Sequence, residues 1–213
     1  LIVAGNNILN KAASEFNQHV EIVPSAVFAT DVPQKSYLSQ NKKVIIGWVG
    51  SSINLQHLEL LSPVLKKLSE KHAIQLRIIC DKSLDMDGVD VKFVPWSIEI
   101  QDKEIASFDI GIMPLDNSLF TRGKCGYKAL QYMAAAVPAV VSDVGVNSDI
   151  VQHGKLGCVA KNIEDFYQAL DHLIVSPEER MKKGKASRLE VEGKYSIEAI
   201  GHLLATVLGK YIP

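Results

Sequence analysis

Short apolar runs alternate with segments of helical periodicity along almost all of the 213 residues. The run Val44–Val49 is nearly continuous in apolar side chains, which is typical of a strand covered on both faces. From Leu58 to Leu68 leucines recur three and four positions apart, which predicts a helix with one buried face. Further strands are predicted at 75–80, 89–94, 108–113, 139–142 and 157–160, and further helices at 99–107, 124–136, 163–175, 177–191 and 197–211. Strands separated by helices in this way predict right-handed βαβ crossovers and a mostly parallel sheet.

The pattern divides the chain into three parts. The pattern of residues 1–24 predicts a strand, a helix and a second strand that ends at Pro24. Residues 25–42 are polar and contain Pro33, and we interpret them as a linker. Residues 43–213 carry the regular alternation and form the predicted main domain. Because Leu1 already belongs to a strand-like run, we expect the chain to be truncated at its N-terminus, within a fold.

Composition and charge exclude several classes of protein. Lysine and arginine number 23 and aspartate and glutamate 24, so a net charge of −1 gives no electrostatic basis for binding nucleic acid. The longest apolar run, residues 133–141, includes Pro138 and is far too short to span a bilayer. The three cysteines lack C-x-x-C spacing and the six histidines lack metal-ligand spacing. We therefore expect a cytoplasmic protein with reduced thiols and no metal site.

A basic segment leads into the helix predicted from residue 124. On that helix Lys124, Lys128 and Gln131 share one face, and Arg122 comes just before it. Cations at a helix N-terminus oppose the helix dipole, whereas the dipole and the free N–H groups there favour an anion. One interpretation is therefore a phosphate-binding site. The alternative is a solvated basic helix start that is offset by nearby aspartates.

Two other loops follow predicted strands, at the edge where parallel sheets bind ligands. Gly50 and Ser51 close the first strand of the main domain and offer amides or a hydroxyl to a phosphate, although Gly–Ser turns are common. After the strand at 139–142, Gly145 either lets a ligand approach the backbone or serves only a tight turn. Asn147 is predicted to cap a short helix that begins at Ser148.

Several motifs together resemble a known family. They are DIGIMPL (109–115), RGKCGYKALQYMA (122–134), VPAVV (137–141), DVGVN (143–147) and IVQHGKLG (150–157). From about residue 43 to residue 211 the chain resembles the C-terminal half of retaining group 1 glycosyltransferases of the GT-B fold. The resemblance implies a Rossmann-like parallel sheet with helices on both faces. It also implies that residues 1–24 are the end of a preceding acceptor domain and that residues 43–213 bind a nucleotide-sugar donor.

The resemblance assigns parts of the donor to segments of this chain. The loop at Gly50 and Ser51 matches the one near the diphosphate, and Gly123, Gly145, Val146 and Asn147 match loops around the donor. The segment that lies beside the base matches Val94, Pro95, Trp96 and Ser97.

The chain departs from the family pattern at its charged positions. The family carries two glutamates eight residues apart, one contacting the donor sugar and one accepting the ribose hydroxyls. The matching positions here are Gly123 and Gln131. Gln131 can still bond to ribose as a neutral amide, whereas Gly123 has no side chain to offer. The Arg and Lys that many members place after the first strand to bind the diphosphate are also absent. We expect Arg122, Lys124 and Lys128 to bind the diphosphate instead.

The resemblance implies an enzyme that transfers a sugar from a nucleotide-sugar to a glycan, a lipid or a small molecule. No cofactor or metal ion is expected, and no catalytic residue can be named. The resemblance also leaves open a peripheral membrane association through the missing N-terminal domain. This fragment alone is expected to be inactive. Since both glutamates are absent, the alternative is an inactive GT-B-like module that binds a nucleotide-sugar.

Overall fold

The computed structural model describes residues 1–38 and 42–211. The strands are β1 (Ile2–Ala4), β2 (Val20–Ile22), β3 (Val44–Val49), β4 (Ile74–Cys80), β5 (Val91–Pro95), β6 (Ile110–Met113), β7 (Ala139–Ser142) and β8 (Cys158–Ala160). The α-helices are α1 (Asn7–Ser14), α2 (Leu55–Glu59), α3 (Ser62–Lys71), α4 (Ile98–Ala106), α5 (Leu119–Arg122), α6 (Tyr127–Ala134), α7 (Asn147–Ile150), α8 (Ile163–Val175), α9 (Pro177–Glu190) and α10 (Ile197–Gly209). None of these helices combines the length and apolar character that crossing a membrane requires.

Six of the strands form one parallel sheet in the order β5-β4-β3-β6-β7-β8. The chain builds the sheet outward from β3 to β5 and then returns to the other side of β3 to add β6, β7 and β8. The strand order therefore reverses between β3 and β6. In sheets of this type ligands bind beside the carboxyl ends of the strands at such a reversal. The arrangement confirms the predicted α/β fold with a Rossmann-like parallel sheet.

Both faces of the sheet are covered, as the apolar run of β3 predicts. Ile46 and Trp48 belong to a buried cluster that includes residues of α2, α3 and α8. Ile45 and Val49 belong to a second cluster, which includes residues of α6. Neighbouring residues of a strand point to opposite faces, so a strand between two layers of helices needs apolar side chains at nearly every position.

The leucine stripe from Leu58 to Leu68 is buried, but the prediction of one helix there is wrong. The chain forms α2 and α3 instead, with a break at Leu60 and Leu61. Pro63 explains the break, since a proline inside a helix lacks the N–H donor and its ring clashes with the carbonyl four residues earlier. In the first turn of α3, where it lies, neither problem arises.

The N-terminal part pairs β1 with β2 as a separate parallel two-stranded sheet. The following segment is attached to the main domain by side chains with buried polar groups. The Lys35 ammonium lies 2.8 Å from an Asp109 carboxylate oxygen, and the Tyr37 hydroxyl lies 2.7 Å from the Ala136 carbonyl oxygen. Arg188 of α9 donates to the carbonyl of Ala29. The predicted domain boundaries at residues 24 and 42 remain predictions.

Candidate donor site

The site lies where β3 and β6 separate. The two strands pair only through two positions, ending at Gly47 and Gly111. Beyond this point the phenol of Tyr132, a fully buried residue of α6, lies between them. Its hydroxyl accepts from the Val49 N–H at 3.2 Å and donates to the Ile112 carbonyl at 3.1 Å. These bonds satisfy strand groups that have no ladder partner and hold α6 against the carboxyl end of β3.

A cleft of about 450 Å³ lies at the carboxyl ends of β3, β4 and β5, against α6. It is lined by Val49, Gly50, Ser51, Asp81, Trp96, Gln101, Tyr127, Lys128 and Gln131. Five of the predicted site residues are thus brought together, although they come from three separate segments of sequence. The volume is in the range of small-molecule sites.

Lys128 carries the strongest electrostatic signal of the cleft. Burial, and then repulsion from the Lys124 ammonium, lower the pKa of Lys128 from 10.5 to about 8. Its ammonium lies 5.4 Å from the centre of the Trp48 ring, and no carboxylate of the described residues pairs with it within 4.0 Å. A Cβ atom at Gly50 would lie 2.8 Å from Cε of Lys128, so the glycine makes room for the lysine. A partly buried cation without a counter-ion suits an anionic ligand.

Lys124 lies beside the cleft and does not line it. The helix predicted from residue 124 begins at Tyr127, because Gly126 adopts a left-handed conformation with φ of 68°. Lys124 therefore precedes the helix, and its ammonium donates to Oδ1 of Asn54 at 2.6 Å. The Asn54 amide in turn donates to the Ser51 hydroxyl at 2.9 Å, so Lys124 is connected to the wall of the cleft. Burial lowers the pKa of Lys124 as well, and Asp116 opposes this.

Arg122 and the predicted donor loop lie outside the cleft. Arg122 is exposed at the end of α5 and donates to Oδ1 of Asn117 at 2.7 Å. Gly145 has φ of 59°, and a Cβ atom there would lie 2.6 Å from the Arg122 carbonyl oxygen, which supports its role in a tight turn. Val146 and Asn147 follow that turn. The prediction that Asn147 caps a helix is wrong, since it is the first residue of α7 and its amide donates to the Ser142 carbonyl.

Of the four residues predicted near the base, Trp96 alone lines the cleft. Half of its surface is exposed, and its indole N–H donates to Oε1 of Gln101 at 2.7 Å. Val94 is buried in the core, Pro95 is exposed at the end of β5, and Ser97 precedes α4 without capping it. The indole therefore provides a flat apolar surface, which the Gln101 amide orients.

Comparison with known proteins decides the family. The family model described as glycosyl transferases group 1 matches residues 43–176, more than half of the chain. The chain belongs to this family. A curated relative, spore coat protein SA of Bacillus subtilis (strain 168), is 30% identical over 81 residues, which cover 37% of this chain and 22% of that protein.

Several solved structures share the fold. HepE of Anabaena, in complex with UDP and glucose, matches 98% of this chain and 62% of its own with a TM-score of 0.77 and 12% identity. A TarM mutant of S. aureus, in complex with UDP and other ligands, matches 96% of this chain and 43% of its own with a TM-score of 0.75 and 17% identity. The C-terminal domain of a group 1 protein (LpcC) of Francisella tularensis is matched over its full length, with a TM-score of 0.61 and 17% identity over 81% of this chain.

Family membership and the GT-B-type fold confirm the predicted resemblance to group 1 glycosyltransferases of the GT-B fold. The chain spans 22% of the spore coat protein and 43% of the TarM chain, so it corresponds to a part of these relatives. The roles assigned to individual residues of this group 1 glycosyltransferase chain remain predictions.

The two positions where the family carries glutamates lie in different surroundings. Gln131 lines the cleft next to Lys128. Gly123 does not line the cleft, and its carbonyl accepts from the side-chain amide of Asn6 at 2.9 Å. Of the two positions, Gln131 is thus the one that can reach a ligand in the cleft through a side chain.

Sequence analysis missed several residues of the site. Asp81 accepts from both the N–H and the hydroxyl of Ser52 at 2.7 Å, and these bonds lower its pKa. It directly follows the predicted strand at 75–80, and this position at the carboxyl edge of the sheet is a signal for a site residue. His57 does not line the cleft, but it is buried near Lys124, and burial followed by the charge of Lys124 lowers its pKa. Gln101 has no signal in the sequence, because a polar residue in an amphipathic helix is ordinary.

Proposed function

We propose that this chain is the donor-binding part of a glycosyltransferase that transfers a sugar from a nucleoside diphosphate sugar to an acceptor. The observation that supports the proposal is Lys128, a partly buried lysine without a carboxylate partner among the described residues, which lines a cleft at the carboxyl ends of the strands beside the reversal of strand order. The cleft is thereby suited to an anion with an organic group attached. That HepE and TarM were solved with UDP supports a nucleotide as that anion.

In this proposal the diphosphate lies against Lys128, with Ser51 beside it and Lys124 at the adjoining wall. When the bond between sugar and diphosphate breaks, negative charge grows on the leaving nucleoside diphosphate. A fixed ammonium in a partly dry cleft stabilises this charge more strongly than water does. Fixed cations replace a metal ion in this scheme, and no cofactor is required. The amide of Gln131 bonds to the ribose hydroxyls, and Trp96 packs against the base.

Binding experiments test this arrangement. UDP, GDP, ADP and pyrophosphate are titrated into the protein by calorimetry, which also identifies the base. Lys128→Met should reduce the affinity for every one of these ligands at least about tenfold. Lys185→Met, which removes an exposed lysine of α9, serves as the control and should leave affinity unchanged. If none of the four ligands binds the unaltered protein, the proposal is wrong.

Gln131 allows the nucleoside to be tested separately from the phosphates. Gln131→Ala removes the amide that we assign to the ribose, so UDP affinity should fall about three- to tenfold while pyrophosphate affinity is retained. Gln131→Glu, which restores the residue type of the family, should bind UDP at least as well as the unaltered protein. Equal losses for UDP and pyrophosphate in Gln131→Ala would contradict the assignment.

The glycine at position 123 is an argument for a second candidate function, namely a module that binds a nucleotide-sugar without transferring the sugar. The family uses a glutamate side chain at this position to contact the sugar, and glycine offers none. The two functions are distinguished in the full-length protein by following consumption of a nucleotide-sugar with and without an acceptor. Transfer that depends on the acceptor supports the enzyme, whereas binding without consumption supports the module.

The proposed glycosyltransferase function also includes a cytoplasmic location and retention of the anomeric configuration of the transferred sugar. NMR of the product tests the retention.

A further inference from the structure

Asn6 connects the N-terminal part of the chain to the loop that carries Lys124. It lies between β1 and α1 and is almost fully buried, with 2% of its surface exposed. Its side-chain amide donates to the carbonyls of Gly123 at 2.9 Å and Lys124 at 3.3 Å. The same amide lies 3.6 Å from Sγ of Cys125. One side chain thus contacts three consecutive residues that are more than a hundred positions away in the sequence.

The chemistry of this position requires both ends of the asparagine side chain. Oδ1 accepts from the Leu9 N–H at 2.8 Å and caps α1, while Nδ2 donates to the distant loop. A carboxylate could cap the helix but would face the two loop carbonyls without a donor. The close approach also depends on Gly5, where a Cβ atom would lie 2.5 Å from Sγ of Cys125.

The loop held by Asn6 leads directly to the cleft. Asn6 bonds to the carbonyl of Lys124. The ammonium of Lys124 donates to Asn54, and the amide of Asn54 donates to Ser51 in the wall of the cleft. In the other direction the loop continues through Gly126 into α6, which presents Lys128. Before α6 the loop has no side-chain cap, since Gly126 occupies the position that normally provides one. The Asn6 amide is therefore an external support of this loop.

We propose that Asn6 is a positioning residue for the donor site, which holds the loop at Gly123–Cys125 so that Lys124 stays against the cleft wall and Lys128 faces the diphosphate. This proposal rests on the proposed function for its consequence in binding. The contact with the loop can also be tested without a ligand.

Three variants separate the two roles of Asn6. Asn6→Ser keeps a good capping residue for α1 but lacks the amide donors, and Asn6→Asp keeps the shape and the cap while placing a carboxylate against the loop carbonyls. Asn162→Ser is the matched control, because Asn162 caps α8 through its Oδ1 at 2.9 Å from the Asp165 nitrogen. Pyrophosphate, which has no base or ribose, is the probe. We expect its Kd to rise at least about fivefold in Asn6→Ser, more in Asn6→Asp, and not in Asn162→Ser.

A double-mutant cycle distinguishes positioning from a general loss of stability. If Asn6 acts through Lys124, then Asn6→Ser should reduce the affinity for pyrophosphate less in a Lys124→Met background than in the unaltered protein. Full additivity of the two losses, or an equal loss in Asn162→Ser, would overturn the proposal.

Alkylation of cysteine tests the loop directly. Cys125 and Cys158 are both partly exposed, and Cys158 lies away from Asn6 in β8. With N-ethylmaleimide, Cys125 should react several-fold faster in Asn6→Ser than in the unaltered protein, while the rate at Cys158 stays the same. An unchanged rate at Cys125 would show that the loop does not depend on Asn6. Absence of pyrophosphate binding in the unaltered protein would instead contradict the proposed function, and the alkylation result would still decide the role of Asn6.

Discussion

At the scale of single residues, Lys128 lowers the stability of the fold while it prepares a site. A lysine whose pKa falls to about 8 on folding is held in surroundings that disfavour its charge. Among the described residues no carboxylate within 4.0 Å compensates for this. A bound diphosphate would supply the missing negative charge. Stability and affinity are thus opposed at this position.

Replacing Lys128 should therefore stabilise the protein. Lys128→Met removes a disfavoured charge and keeps an apolar side chain of similar length, so the free energy of unfolding at pH 7 should rise by about 1–2 kcal/mol. The gain should be largest below pH 8, where the lysine is charged in both the folded and the unfolded state. It should shrink between pH 8 and 10.5, since the folded protein releases this proton at a lower pH than the unfolded chain. Urea unfolding of both proteins across this range measures the difference, and a destabilised variant at pH 7 would contradict the prediction.

The same lysine should make nucleotide binding depend on pH. A diphosphate favours the ammonium form, so binding raises the pKa of Lys128 above about 8 and takes up a proton near that pH. Between pH 7 and pH 9 the affinity for UDP should fall by up to about tenfold. Calorimetry in buffers of different ionisation enthalpy detects the proton. Lys128→Arg, which stays charged throughout, should lose this pH dependence, and an unaltered dependence in that variant would assign the proton to another group.

At the scale of elements, the entry into α6 decides which side chains reach the cleft. Gly126 has φ of 68°, and the left-handed turn it makes separates Lys124 from the helix that carries Lys128 and Gln131. A regular helix over all three residues would align them on one face. The turn instead sends Lys124 toward Asn54 and leaves the other two residues in the cleft.

Gly126→Ala should therefore destabilise the protein. The left-handed conformation is unfavourable for alanine by about 1–2 kcal/mol, and the new Cβ atom would lie 2.1 Å from Cδ1 of Ile150, which must move. We expect a total loss of about 1–3 kcal/mol in urea unfolding, together with weaker UDP binding. Gly201→Ala is the control, since this position lies within α10 with open space around it and alanine should stabilise it by about 0.5–1 kcal/mol. Equal effects of the two substitutions would contradict this account.

At the scale of the whole molecule, a buried ion pair attaches residues 25–38 to the amino end of the sheet. Asp109 lies 2.8 Å from the Lys35 ammonium and also accepts from the Ile45 N–H at 2.8 Å. Lys35 donates further to the Ser107 carbonyl, and 5% of its side chain is exposed. This attachment and the cleft lie at opposite ends of the strands, so a change in one need not alter the other.

Asp109→Ala should be strongly destabilising. It leaves the Lys35 ammonium buried without its partner and removes an acceptor from the backbone of β3, which together should cost about 3–5 kcal/mol in urea unfolding. The exposed pair of Lys43 and Asp90 provides the control, and Asp90→Ala should cost at most about 1 kcal/mol. Comparable losses in the two variants would show that burial does not decide the contribution of these pairs.

The extent to which the site could be predicted differs between its residues. Lys128 and Gln131 were predicted from their spacing on one helix, and both line the cleft. The sequence places Arg122 close to them in the chain, but at the end of α5 its side chain donates to Asn117 and lies outside the cleft. Asp81 and Gln101 were missed, because their proximity to Lys128 arises only when β4 and α4 are placed next to β3.

The sequence alone determined the order of the strands in the chain and their alternation with helices, the burial of β3 on both faces and the family to which the chain belongs. These properties depend on local periodicity and on motifs that are contiguous in the chain. Tertiary structure decided where the strands separate, which cation enters the cleft and which residue supports the loop before α6. Those features depend on contacts between distant segments, such as Tyr132 with Val49 and Asn6 with Gly123. No periodicity in a single segment encodes such a contact.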